Sequence, residues 1–264
     1  KKYKKIATKI GKGFCTAKWN HVSIHLHTGD NHSCYHPSMH KVSLEELKKN
    51  PSALHNSEYK KKQRQMMLKD ERPPECSYCW ALEDSGSLSD RHFRSAEFEE
   101  MEKGTVDKIK SMPWDANVAP KYLEVSFGNG CNYRCGYCCP QASTMWTEEI
   151  KKHGNYDLTY NQYGIEFMTN GTYYGPKDEN PYIEAFWKWW PDLYRDLHTF
   201  RITGGEPLMS KDTWKVLDFI IEHPNPNREL KLAFNSNLGV PDVLIDKFIQ
   251  KIKILEDEGR AKEI

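Results

Sequence analysis

The segment C-N-Y-R-C-G-Y-C-C-P, from Cys131 to Pro140, holds four of the eight cysteines of this 264-residue chain. Cys131, Cys135 and Cys138 are spaced C-x-x-x-C-x-x-C, and Cys139 follows directly. Cysteine thiolates bind iron–sulfur clusters, and four are usual for a cubane. Three thiolates leave one iron without a protein ligand, free to take a small molecule as the open position of a catalytic zinc takes substrate. A structural zinc knuckle is the plainer reading, but such sites usually show paired C-x-x-C motifs, which this stretch lacks. Cys139 is surplus to the spacing: it reads as a small buried apolar residue beside the site, or as a replacement for Cys138.

The remaining cysteines are Cys15, Cys34, Cys76 and Cys79. Four sulfurs suit either zinc or an iron–sulfur centre. Lys1 to Lys5 is basic, but no apolar stretch of signal-peptide type follows, and no apolar run reaches the length of a membrane span. The thiols are therefore expected to be metal ligands in a reducing, cytoplasmic protein rather than disulfides. A net charge of +1 gives no global field favouring nucleic acid or a membrane surface.

The elements that must position these residues divide into two segments. In residues 1–112, the alternation W-N-H-V-S-I-H-L-H (Trp19 to His27) predicts a strand, Thr28 to Asn31 a turn, and Ser33 to His36 a returning strand. Such a hairpin would bring Cys15 and Cys34 together. Ser43 and Glu46 read as a capping box, and Ser52 to Lys69 as a helix stopped at Pro73-Pro74. From residue 113, strands are expected at 121–127, 198–203 and 230–235, with helices at 142–152, 182–197, 211–222 and 241–256. Residues 155–181 are expected to form an inserted loop. Strand–helix alternation implies a parallel α/β architecture with right-handed crossovers, whose sites lie in the loops after the strands.

The cysteine loop, with Tyr137 before its last ligand, resembles the signature of the radical S-adenosylmethionine (SAM) superfamily. The resemblance implies a partial (β/α) barrel of about three units in residues 113–264. It also implies a [4Fe–4S] cluster on Cys131, Cys135 and Cys138, with SAM chelated to the open iron and cleaved to a 5′-deoxyadenosyl radical. Tyr137 would lie near the adenine. Arg201-Ile-Thr-Gly-Gly-Glu-Pro207 ends the second strand, where this family carries its GGE motif. By that likeness Thr203, Gly204, Gly205 and Glu206 would hold the SAM amino group. Asn235, at the end of the third strand, matches the family pattern more loosely and reads equally as a turn former.

Cys15 and Cys34, with Gly29 between them, followed by Cys76-x-x-Cys79, resemble the twitch and SPASM auxiliary domains of that superfamily. Residues 1–112 would then be a small α+β domain holding a second [4Fe–4S] cluster, with zinc as the alternative. Here the cysteines precede the core, whereas such domains usually follow it. The resemblance further implies a low-potential electron donor such as flavodoxin or ferredoxin, and a substrate that could be a peptide, with nucleosides and sugars open. The competing class is a non-catalytic iron–sulfur or zinc protein acting as an electron carrier or binding module. With three βα units where a full barrel has six, the 264 residues are expected to be part of a longer protein.

Three further features are read as structural. His21, His25 and His27 alternate along the first strand and are taken as strand and loop residues rather than a metal site. Lys60-Lys61-Lys62-Gln63-Arg64 is taken as the solvated face of a helix. Trp187 and Trp190, one helical turn apart, are expected to pack against the core.

Overall fold

A computed structural model describes residues 2–157, 173–175 and 178–264. Its centre is a six-stranded sheet: β1 (His21–His25), β2 (Asp30–His32), β3 (His40–Lys41), β4 (Tyr122–Ser126), β5 (Thr199–Thr203) and β6 (Lys231–Phe234), in the order β3-β2-β1-β4-β5-β6. The pairs β1–β4, β4–β5 and β5–β6 are parallel, and β1–β2 and β2–β3 are antiparallel.

The expected strand at 121–127 and its two successors are present with ends trimmed by a residue or two. The first hairpin differs more. Ala17–Asn20 is a short helix, so β1 starts at His21, and the return strand is Asp30–His32 rather than Ser33 to His36. The turn closes early because Gly29 takes a positive φ of +80°, and a Cβ there would strike the ring of Tyr182.

Alternation along the strands sorts the two faces of the sheet. Val22 and Ile24 of β1, Leu123 and Val125 of β4, Phe200 and Ile202 of β5, and Leu232 of β6 enter one apolar core. That face is covered by α10 (Pro181–Asp196) and α11 (Lys211–Glu222). Trp190 is fully buried between Phe186, Tyr194, Phe200 and Phe219, as its spacing predicts. Trp187 packs on Phe127 and donates its indole N–H to Asp212 at 2.8 Å. The opposite face carries His21, Ser23 and His25, Tyr122, Glu124 and Ser126, and Thr199, Arg201 and Thr203. The register puts His25, Ser126 and Thr203 in one row across three parallel strands.

The boundary expected at residue 112 runs through this sheet, because β1 hydrogen-bonds to β4 across it and both strands share one core. The N-terminal segment does own a second apolar cluster, built from Ile6, Ile10, Phe14, Trp19, Met67, Cys79, Trp80, Ala96, Val106 and Ile109. The helix expected over 52–69 is broken into Ala53–Asn56 and α5 (Glu58–Leu68). The break is Ser57, whose backbone is extended and whose hydroxyl accepts from Lys60 N, making it the N-cap of α5. Ser43 caps its own helix by accepting from Glu46 N, but the Glu46 carboxylate accepts from Glu58 N, so only half of the capping box forms. Most of the stretch expected as an inserted loop lies outside the described residues. No helix among the described residues is long and apolar enough to cross a membrane.

Candidate functional site

The chain leaves β4 through Phe127-Gly-Asn-Gly130 and enters the cysteine loop, which ends at α9 (Thr144–His153). The start of α9 holds this loop down. Cys131 N donates to Thr144 Oγ1 at 3.1 Å, and that hydroxyl donates to Cys131 O at 3.0 Å. Ser143 Oγ donates to Tyr133 O at 2.8 Å, and the Trp146 indole donates to Cys135 O at 3.0 Å. Cys138 N donates to Cys135 O, so the last two ligand candidates sit in one turn. The loop's conformation is thus fixed by backbone, hydroxyl and indole bonds that do not depend on the thiols.

The loop after β5 packs against it at unusually short range. Gly204 and Gly205 have φ of +80° and +49°. A Cβ on Gly204 would lie 1.8 Å from Ser126 Oγ, and one on Gly205 would lie 2.3 Å from Gly130 O. Only glycine tolerates both the conformation and the contact. Gly205 N and Glu206 N then donate to Ala142 O and Gly130 O, joining the two loops.

Together these loops line a cleft of about 590 Å³ at the carboxyl ends of the parallel strands, where α/β folds place their ligands. Cys131, Cys135, Cys138 and Cys139 line it, with Tyr137, Thr203, Gly204, Gly205 and Asn235. The sequence-predicted residues therefore converge, with one exception. Glu206 is buried behind the cleft, and its carboxylate accepts from Leu208 N (3.0 Å), Ser236 Oγ (2.7 Å) and Asn237 N (2.7 Å). In this structure it braces the loops after β5 and β6. Tyr137 stands at the rim, 89% exposed. Cys139 is half-buried and faces the same cleft as the trio. Burial, with the neighbouring thiols, raises the Cys138 thiol above its ordinary value.

Sequence reasoning passed over several residues of this site. Asn237 Nδ2 reaches the Cys131 sulfur at 3.7 Å and Asn132 Oδ1 at 3.2 Å. His25 and His27 line the cleft with Thr28, Asp30 and Glu124. Burial lowers His25 to about 3 and His27 to about 4, so both are neutral at physiological pH. His25 Nε2 and His27 Nδ1 are buried with no hydrogen-bond partner among the described residues. The signal available in the sequence was the polar alternation of β1, which puts His25 on the same face as Ser126 and Thr203 once the strands are paired.

The second set of cysteines also converges. Cys15, Cys34, Cys76 and Cys79 line one small pocket with Lys18, Met67, Trp80 and Arg91. Cys76 starts α6 (Ser77–Asp84), which carries Cys79 on its first turn. Burial pushes the Cys15 thiol up to about 12, with Cys34 and Cys76 adding to the effect, and pushes Cys76 up to about 11. Four thiols lining one pocket, Cys79 buried and the other three half-buried, suit a sulfur-ligated centre, since a metal removes the thiol proton that desolvation otherwise retains. Around a single zinc ion the sulfurs would all lie at roughly 2.3 Å. Among the described residues, no three or more His, Cys, Asp or Glu side chains are arranged to hold one ion.

The fold and site define an α/β protein with a cysteine-rich cleft at the carboxyl ends of its parallel strands. Over 133 residues, 50% of its length, the chain is 28% identical to GTP 3′,8-cyclase of Aliarcobacter butzleri (strain RM4018), a radical SAM enzyme, and the match covers 30% of that protein. This distant similarity supports the radical SAM superfamily at the level of the superfamily only. No protein-family model matches the chain, and no solved structure matches it.

Proposed function

We propose that the chain carries the SAM-binding part of a radical SAM enzyme, with Cys131, Cys135 and Cys138 as ligands of its [4Fe–4S] cluster. The observation that carries this reading is the convergence of that trio with the Thr203–Gly205 turn in one cleft. Reduction of such a cluster by a low-potential donor of flavodoxin or ferredoxin type would supply the electron that splits SAM into methionine and a hydrogen-abstracting 5′-deoxyadenosyl radical.

This chain's residues bind and orient. Thr203, Gly204 and Gly205 present backbone polar groups to the methionine end of SAM, and Asn235 adds a side-chain amide. Glu206 acts indirectly by fixing the loops after β5 and β6. Tyr137, at the rim, covers the adenine side. His25 at the end of β1 and His27 just beyond it line the same cleft, and their neutral imidazoles offer hydrogen bonds to the substrate, which we take to be a peptide. Cys15, Cys34, Cys76 and Cys79 hold a second, auxiliary [4Fe–4S] cluster. We infer a cytoplasmic setting from the reduced thiols this chemistry requires.

The test is an anaerobic assay of the reconstituted, dithionite-reduced protein with SAM, scoring 5′-deoxyadenosine, beside a Cys135→Ala control. Product that vanishes in the control supports the reading. Absence of product from protein that retains iron and sulfide removes it.

A further inference from the structure

Four thiols, not three, line the cleft: Cys131, Cys135, Cys138 and Cys139. Three suffice for a cluster that keeps one iron open, so the fourth has no role in that scheme. Core packing does not explain it. Cys139 is half-buried and belongs to neither of the two apolar clusters.

Neighbouring residues on an extended chain point to opposite sides. Cys138 and Cys139 are neighbours, yet both line one cleft. The loop is built to hold them so. Cys138 N donates to Cys135 O at 2.9 Å before the pair, and Ala142 N donates to Cys139 O at 3.0 Å after it. Pro140 restricts the backbone of Cys139 to extended conformations. The Pro140 carbonyl in turn accepts from Asn129 Nδ2 (3.3 Å) and Thr147 Oγ1 (3.0 Å). These bonds hold the fourth sulfur on the cleft side of the loop, beside the trio. A soft thiolate is a better ligand for cluster iron than water is. Carried on the same loop, it competes at the effective concentration that a short tether sets.

We propose that Cys139 is a displaceable fourth ligand, which caps the open iron of the trio's cluster while SAM is absent and gives way when SAM binds. This rests on the reading of Cys131, Cys135 and Cys138 as cluster ligands. In the exchange the bond from iron to the Cys139 sulfur breaks, and bonds from iron to the amino nitrogen and a carboxylate oxygen of SAM form. The released thiolate takes a proton from solvent, and no electron moves. Capping keeps the exposed iron from dissociating in SAM-free protein. It also lowers the apparent SAM affinity by the fraction of protein left uncapped.

The test compares the full chain with Cys139→Ala after anaerobic reconstitution, without reductant, so that SAM binds but is not cleaved. Iron and sulfide are measured first, beside Cys131→Ala. SAM affinity by equilibrium dialysis is expected to rise roughly tenfold in Cys139→Ala, as for loss of a capped state holding about nine-tenths of the protein. Ferricyanide is then added to SAM-free protein. It withdraws one electron from the cluster, an uncapped iron leaves as Fe(II), and the [3Fe–4S] product is counted by EPR. Cys139→Ala should yield more of it than the parent, and SAM added beforehand should remove the difference. The four-cysteine site contributes equally to both proteins. Cys139→Ser keeps the size of the side chain and carries the same expectations where the Ala variant does not fold. Equal SAM affinity overturns the proposal. So does an equal [3Fe–4S] yield, which would make Cys139 a steric neighbour of SAM rather than an iron ligand. A Cys139→Ala protein that loads no cluster at the trio, beside a Cys138→Ala protein that does, makes Cys139 the third ligand and overturns it as well. A parent with no more iron than Cys131→Ala removes the cluster reading itself.

Discussion

Asn237 Nδ2 lies 3.7 Å from the sulfur of Cys131, across the interface between the loop after β6 and the loop after β4. An N–H aimed at a ligand sulfur stabilises the more electron-rich state of a cluster. Asn237 also donates to Asn132 Oδ1 and accepts from Gly239 N at 2.7 Å, so one side chain ties the loop after β6 to the loop after β4. Asn237→Leu is expected to lower the midpoint potential of the cluster proposed at the trio. It should also cost about 1–2 kcal/mol of stability through the lost hydrogen bonds. EPR titration and urea unfolding read the two effects separately.

Glu206 does its work with both oxygens occupied. In Glu206→Gln one oxygen becomes an amide nitrogen, which cannot accept from Ser236 Oγ and Leu208 N on one side or from Asn237 N on the other. The expected loss is about 1–3 kcal/mol for a buried group left without its partner. Urea unfolding should show it, and SAM affinity should fall although the residue does not line the cleft.

Gly204→Ala places a methyl group 1.8 Å from Ser126 Oγ at a φ of +80°. The loops cannot then keep their spacing. Protein that still folds should hold less iron at the trio after reconstitution, while Gly86→Ala, at an open positive-φ site, costs only the backbone strain of about 1–2 kcal/mol. An iron content of Gly204→Ala equal to that of the parent would count against the close packing described here.

His27 supplies a pH dependence whose sign follows from its burial. Its folded value, about 4, lies below the ordinary histidine value of 6.5. As pH falls below 6.5 the unfolded chain takes up a proton that the folded protein refuses, so stability drops through the window from 6.5 towards 4. The slope from this one group is at most about 1.4 kcal/mol per pH unit. Chemical unfolding of metal-free protein between pH 7.5 and 5 should show a shallower decline in His27→Gln. An identical slope would mean that His27 is not held neutral.

Spacing made the cysteine trio, the glycine turn and the strand–helix order legible before any coordinates. Local signals sufficed there, because ligand spacing and hydrophobic period are set within a few residues. Two things were not local. The pairing of β1 with β4 depends on contacts between residues far apart in sequence, so His25 and His27 could not be placed opposite the cysteines. The burial of Lys60 and Arg64 was hidden for a related reason. A run of Lys, Gln and Arg reads as solvated because composition does not say which of its residues turn inward, and Lys61, next in the run, is paired with Glu58. Glu206 was misplaced because the motif fixes its position in the chain and not the direction of its carboxylate.

The pairing of β1 with β4 also bears on how the protein forms. The chain leaves the sheet after Lys41, builds the helices of the second apolar cluster, and rejoins the sheet at Tyr122. During synthesis β1 has only its hairpin partners until that long excursion is complete. Neither portion can then be expressed alone without baring a strand edge, on β1 in one case and on β4 in the other, and bare edges recruit other chains. Division at residue 112 should therefore give two aggregating pieces, whereas the intact chain has a sheet that closes late and through its most distant contacts.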